Sequence, residues 1–226
     1  VIEAVEITKQ FNPLDAPVIK GVSFQIAPGE FVSIWGRSGS GKTTLLYILS
    51  TLDRPTSGDL RYHGQSVTAM SESEILALRN QKMGFIFQFH YLMGELSALE
   101  NVLLPARKQG LHRLKRAEAE HLLAQVGLAE KRHRLPSQLS GGEQQRVAIA
   151  RALIMNPEYI FADEPTGSLD TANAERVMEL LRERHEKQKT TLILVTHEED
   201  FAKQAQRRIV LKDGFILHDE TLSPHP

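Results

Sequence analysis

Residues Gly36 to Thr43 read GRSGSGKT, and a second threonine follows at position 44. This is the G-x-x-x-x-G-K-[ST] spacing. Its glycines let successive backbone N–H groups turn inward on an anion. Lys42 then reaches the β- and γ-phosphates of a nucleotide, and Thr43 offers its hydroxyl to Mg²⁺. Gly36, Ser38, Gly39, Ser40, Gly41, Lys42, Thr43 and Thr44 are therefore the candidate nucleotide-binding residues. Two adjacent carboxylates, Asp163 and Glu164, close the apolar run YIFA. Asp163 is expected to hold Mg²⁺ through water, and Glu164 to orient and deprotonate an attacking water. His197 follows LILVT and can contact the γ-phosphate and that water. Gln88 follows GFIF, where its amide can ligate Mg²⁺ or the attacking water. Lys42, Gln88, Glu164 and His197 form the candidate catalytic set, and Thr43, Gln88 and Asp163 the metal set. Phe11 either stacks on adenine or packs in the core.

A second phosphate-type signal lies roughly a hundred residues downstream. In LSGGEQQR, Leu139 to Arg146, Ser140 can cap a helix, with Glu143 as its capping-box partner. Gly141 and Gly142 leave N–H groups open to something close and anionic. Ser140, Gly141, Gly142 and Glu143 are counted with the nucleotide-binding residues, although one chain should need only one phosphate loop.

The elements that must position these groups follow from periodicity. Residues 2–8 and 18–26 alternate as strands around the turn-rich loop NPLDAP. GEFVSIWG reads as a short buried strand ending at Gly36, and KTTLLYILSTL as the helix after it. SGDLRYHG reads as a strand and turn, and MGFIFQ (83–88) as a strand. From Phe89 to Pro157 the character is helical, with LKRAEAEHLLAQVGL and QQRVAIARALIM the clearest segments. YIFAD (159–163) and TTLILVT (190–196) are strands flanking the helix AERVMELLRERHEK. RRIVLKDGFILHD closes as a hairpin across Asp213-Gly214, and the tail TLSPHP is expected to fray. Strands alternating with helices imply an α/β fold, a mainly parallel sheet covered on both faces, with 89–157 an inserted helical block.

The 226 residues carry 41% hydrophobic and 24% charged side chains, the balance of a soluble globular chain. A net charge of −1 argues against a general nucleic-acid binder, and no nucleic-acid partner is expected. Cysteine is absent, and no His pair has zinc-ligand spacing. No apolar run reaches membrane-spanning length, so any spans must come from another polypeptide. Val1 stands where an initiator Met would, so an upstream start is expected. The basic run KRHR (131–134) reads as a solvated face.

Taken in order, Phe11, GRSGSGKT, Gln88, LSGGEQ, YIFADEPTGSLD and His197 resemble the ATP-binding cassette (ABC) ATPases over essentially the whole chain. The resemblance implies one domain, 1–226. Residues 1–88 and 158–226 would form a RecA-like P-loop NTPase core with an N-terminal antiparallel β subdomain, and 89–157 the helical signature subdomain. It also implies ATP and Mg²⁺, and a head-to-tail homodimer in the ATP-bound state. In that dimer Ser140, Gly141 and Gly142 bind the γ-phosphate held by the other subunit's Lys42 loop, and SLD (168–170) lines the interface. Integral-membrane permease subunits would be the further partner, with this chain peripheral on the cytoplasmic face of the inner membrane. LRNQKMGFIFQFHYLMGELSALENVLLPA (78–106) is similar to the lipoprotein-release and macrolide-export branch, with the cell-division cassette a close relative. Arg37, Trp35 and Gly94 depart from that branch's usual residues. Repair-type ABC ATPases carry a long coiled coil where only 51 residues separate Gln88 from Ser140, and translation factors carry two cassettes. Phe89, Tyr91, Leu92 and Met93 would border a groove for a permease helix, with at least half of them expected to pack inside the helical block.

Overall fold

The computed structural model describes residues 1–222, so 223–226 of the TLSPHP tail lie outside the described residues. The first sheet is antiparallel, in the order β2-β1-β4-β5, with β1 Ile2–Lys9, β2 Ile19–Ile26, β4 Ser57–Tyr62 and β5 Gln65–Ser66. The second sheet is six-stranded, in the order β10-β9-β3-β8-β7-β6. Its strands are β3 Phe31–Trp35, β6 Met83–Ile86, β7 Tyr159–Asp163, β8 Thr191–Val195, β9 Arg207–Lys212 and β10 Phe215–Thr221. All its pairings are parallel except the β9–β10 hairpin.

Strands buried on both faces read as continuous apolar runs, and the two-residue period sorts their side chains between two cores. Ile160 and Ala162 of β7, Leu192 and Leu194 of β8, and Ile86 of β6 join one apolar cluster. Tyr159 and Phe161, Ile193 and Val195, and Met83 point the other way. The second cluster also takes Leu45, Leu46, Ile48 and Leu49 of helix α1 (Lys42–Leu49) and the inner face of the antiparallel sheet. The first cluster takes the buried faces of α3 (Ala98–Lys108), α4 (Arg116–Gln125), α5 (Gly141–Leu153) and α6 (Thr171–Gln188). Each fully buried Leu or Ile contributes about 1.5–3 kcal/mol relative to exposure, and the parallel sheet collects that gain from both sides.

Three helices, α2 (Glu72–Lys82), α3 and the short α7 (Glu199–Ala202), fall outside the segments read from periodicity. Helix α2 opens with a complete Ser71/Glu74 capping box yet buries only Ile75, so its apolar stripe is too thin to read. Helix α3 has a Ser97/Glu100 box, an interior Pro105 and a buried Asn101. That asparagine accepts from Met93 N at 2.8 Å and donates to the carbonyls of Met93, Leu96 and Ser97. It thereby fixes the loop that leads out of β6. Helix α4 starts at Arg116, so Leu114 is exposed rather than part of the stripe. The short helix α7 (Glu199–Ala202) completes the set.

Candidate active site

The glycines of the Gly36–Thr43 loop are required by close neighbours at Gly36 and Gly41 and by backbone conformation at Gly39 and Gly41. A Cβ on Gly36 would stand 2.3 Å from the Leu211 carbonyl oxygen, and one on Gly41 would stand 2.7 Å from Ile19 Cδ1. Gly39 and Gly41 also hold positive φ, 78° and 99°, which costs glycine little. Gly41 leads directly into α1, which has no side-chain cap and no acid in its first turn. By contrast α2, α3 and α5 each fill their first turn with a capping-box carboxylate. The start of α1 is thus left to an anion. Lys42 folds back over the loop, donating to the carbonyls of Gly36 at 2.8 Å and Arg37 at 3.0 Å. The buried Ser40 hydroxyl has no protein partner.

The carboxyl ends of β7 and β8 face this loop. Thr43 Oγ1 donates to Asp163 Oδ1 at 3.2 Å. Burial pushes the Asp163 carboxyl above its usual value; the Thr43 hydroxyl pulls it back, and the neighbouring Glu164 carboxylate raises it again. A buried acid beside a hydroxyl and a second acid fits a divalent cation. No group of three or more His, Cys, Asp or Glu side chains suited to a metal occurs among the described residues. A cation here therefore depends on phosphate oxygens, the usual way Mg²⁺ is held. His197 Nδ1 lies 2.9 Å from Glu164 Oε2, and the His197 backbone N–H donates to the same oxygen at 3.4 Å. Glu164 itself sits in the left-handed region at φ 48°, directly before Pro165. Its N–H donates to the Val195 carbonyl at 2.9 Å. Such backbone costs on the order of 1–3 kcal/mol and persists only where its surroundings over-determine it.

A cavity of about 740 Å³ joins these groups, within the range of small-ligand sites. Ser38, Gly39, Gly41, Lys42, Thr43 and Thr44 line one wall, and Gln88, Asp163, Glu164 and His197 the other. Val18, Phe89, His90, Gly167 and Ser168 also line it. Val18 and His90 carry no sequence signal of their own, Phe89 is one of the residues expected at the permease groove, and Gly167 and Ser168 lie in the quoted TGSLD. Gly36 and Ser40 lie behind the wall, and both are buried. Phe11 does not line the cavity; its ring is 65% exposed and carries Lys9 Nζ 5.0 Å from its centroid. It is not a core side chain.

Ser140 to Glu143 do not line this cavity either. Ser140 Oγ accepts from the Glu143 N–H, and Glu143 accepts from the Ser140 N–H. Lys131 contacts the same carboxylate and, as the largest cause, holds it below its ordinary value. Glu143 is thus engaged as a cap. The box accounts for the N–H groups of Ser140 and Glu143, not for those of Gly141 and Gly142. Beyond Gln88, Phe89, Tyr91 and Met93 are exposed while Leu92 packs against the helical core. The expectation that at least half of the four are core side chains is overturned, because Arg151 and Asn101 hold this loop by the backbone of His90, Tyr91 and Met93 rather than by packing its side chains. Next to Tyr91 lies a cavity of about 240 Å³ lined by Met83, Phe85, Phe87, Pro105 and Met155.

Residues 19–167 match the family described as ABC transporter. The chain is 49% identical over 216 residues to the lipoprotein-releasing system ATP-binding protein LolD of Leptospira interrogans, covering 96% of this chain and 90% of that protein. It is 47% identical to the macrolide export ATP-binding/permease protein MacB of Syntrophobacter fumaroxidans, covering 96% of this chain and 31% of that one. Among solved structures, the fold is similar to dimeric MJ0796, a bacterial ABC transporter cassette, at a TM-score of 0.93 and 39% identity over 100% of both chains. The same cassette as a post-hydrolysis dimer bound to ADP and Pi gives 0.91 and 37%, again over 100% of both chains.

Proposed function

This chain belongs to the ABC transporter family of ATP-binding, ATP-hydrolysing cassettes, and we propose that it works as a head-to-tail dimer around two ATP–Mg²⁺ to drive a separate membrane permease. One observation carries the dimer. The cavity holds every expected catalytic side chain, yet the second anion-seeking helix start, Ser140 to Gly142, lies outside it. Two copies placed head to tail complete two sites. The dimeric solved relatives support the same reading.

Within each site the phosphates lie along the bare start of α1. Lys42 exchanges its two loop carbonyls for the β- and γ-phosphate oxygens, and Thr43 and Gln88, with Asp163 through water, would hold Mg²⁺. Bound there, the cation would neutralise charge that develops on the phosphates. Water attacks the γ-phosphorus and its proton passes to Glu164. The bond to the bridging oxygen breaks, and its electron pair leaves with ADP. His197, hydrogen-bonded to Glu164, holds that carboxylate toward the water. Phe11, whose ring is exposed, stacks on the adenine.

The names of the similar relatives support lipoprotein release or macrolide export as the process served, with a cell-division role the second reading. No helix among the described residues is long and apolar enough to cross a membrane, and the proposed place is peripheral, on the cytoplasmic face of the inner membrane. Exposed Phe89, Tyr91 and Met93, with the adjoining apolar cavity, offer a groove for a short permease helix.

The test uses Glu164→Gln, which keeps the shape and removes the base. Light scattering should find a monomer without nucleotide and a dimer in saturating ATP–Mg²⁺. A monomer in both conditions would sink the composite-site reading.

A further inference from the structure

We infer that Gln145 is a positioning residue through which α5 sets Gln88 and Glu164 together. Its side chain is 1% exposed. Nε2 donates to the carbonyl of Phe87 at 3.3 Å and to that of Pro165 at 3.1 Å. Phe87 immediately precedes Gln88, and Pro165 immediately follows Glu164. One amide thus spans the ends of β6 and β7 at the two points where the catalytic side chains leave the sheet. The Pro165 bond has a specific use. Glu164 holds left-handed backbone at φ 48°, which relaxes unless its neighbours pin it. The Glu164 N–H is held by Val195, and Gln145 holds the far side.

The other end of α5 grips the same loop. Arg151 donates to the carbonyls of His90 at 2.8 Å and Tyr91 at 2.7 Å. Gln145 and Arg151 lie six residues apart, about 9 Å along the helix, so α5 clamps residues 87–91 at both ends. Meanwhile Gln145 Oε1 is buried without a donor. An orphaned acceptor in a core costs stability and calls for an explanation beyond packing. Two donated bonds to catalytic turns provide one.

The consequence rests on the composite-site reading. The start of α5 meets the nucleotide of the other subunit, while Gln145, one turn on, holds Gln88 and Glu164 of its own. Occupancy of one site then reaches the catalytic geometry of the other through Gln145.

The experiment compares the full chain with Gln145→Met, which keeps side-chain length and removes both donors. Steady-state ATP hydrolysis is measured against ATP and against protein concentration, well below the melting temperature. The unaltered chain should show a rate per chain that rises with protein concentration and a Hill coefficient near two. In Gln145→Met, kcat should fall roughly 10- to 100-fold, as for misplaced catalytic groups. KM for ATP should stay within about threefold, and cooperativity should be lost. A cooperative parent whose Met variant keeps its kcat and Hill coefficient overturns the inference. A parent with a concentration-independent rate and a Hill coefficient of one overturns the dimer reading, whereas the Met variant's kcat still decides the positioning role. Should Gln145→Met not fold, Gln145→His, whose ring keeps one donor, carries the test. A reduced kcat at unchanged KM supports the inference, and parental kinetics overturn it.

Discussion

Glu164 and Asp163 are neighbours with opposite demands. Replacing Glu164 by Gln removes the proton acceptor, and hydrolysis should fall roughly 10²- to 10⁴-fold while ATP binding persists. Burial and the adjacent Glu164 charge raise the pKa of Asp163, so its ionised form weakens the nucleotide-free fold. That penalty is complete above the raised pKa and fades as pH falls toward the ordinary 3.8. Asp163→Asn should therefore melt higher than the parent without nucleotide, by about 2–4 °C per kcal/mol relieved, and the gap should close in acid. A parent that melts higher than the Asn variant at neutral pH would contradict this. Phe11 offers a ring face and no hydrogen-bond code, so ATP and GTP affinities should differ by about tenfold or less. Titration of Phe11→Ala should show weaker binding of both; unchanged affinity would assign adenine stacking elsewhere. The chemical residues were legible because type and spacing carry them: Lys42 after its glycines, two acids after YIFA. The left-handed turn at Glu164 and the reach of Gln145 were not, since neither leaves a trace in residue spacing.

At the scale of elements, the strands buried on both faces and the helices with wide apolar stripes were legible. Helix α2 was not, because one buried isoleucine makes no period. Its start is instead written in the Ser71/Glu74 box, and Ser71→Ala should cost about 1 kcal/mol, read as a drop in melting temperature. No change would mean that packing alone holds α2. The loop between β6 and α3 belongs to the same scale. Its course depends on the four bonds of buried Asn101, a polar residue inside an apolar stripe, and sequence patterning cannot announce such a contact. With the Met93 backbone fixed and its side chain outside, Met93→Asp should leave the fold and basal hydrolysis within about threefold of the parent. Stimulation by the permease should be lost. Full stimulation of a folded Met93→Asp chain would place the permease contact elsewhere.

At the scale of the whole molecule, strand order separates what is close in sequence and joins what is distant. β3, which delivers the phosphate-binding loop, pairs with β8 on one side and β9 on the other. Val32 lies opposite Ile193 and Arg207. Ser33 Oγ donates to the Ala202 carbonyl at 3.2 Å, and the Cβ missing from Gly36 would strike the Leu211 carbonyl. The loop written by residues 36–43 thus has its shape imposed by residues 191–212. During vectorial synthesis at about 5–20 residues per second, β3 leaves the ribosome roughly ten to thirty seconds before the strands that flank it. Until they arrive it has neither neighbour. A nascent chain arrested before β8 should bind no ATP, even though every residue of its phosphate loop has already been made.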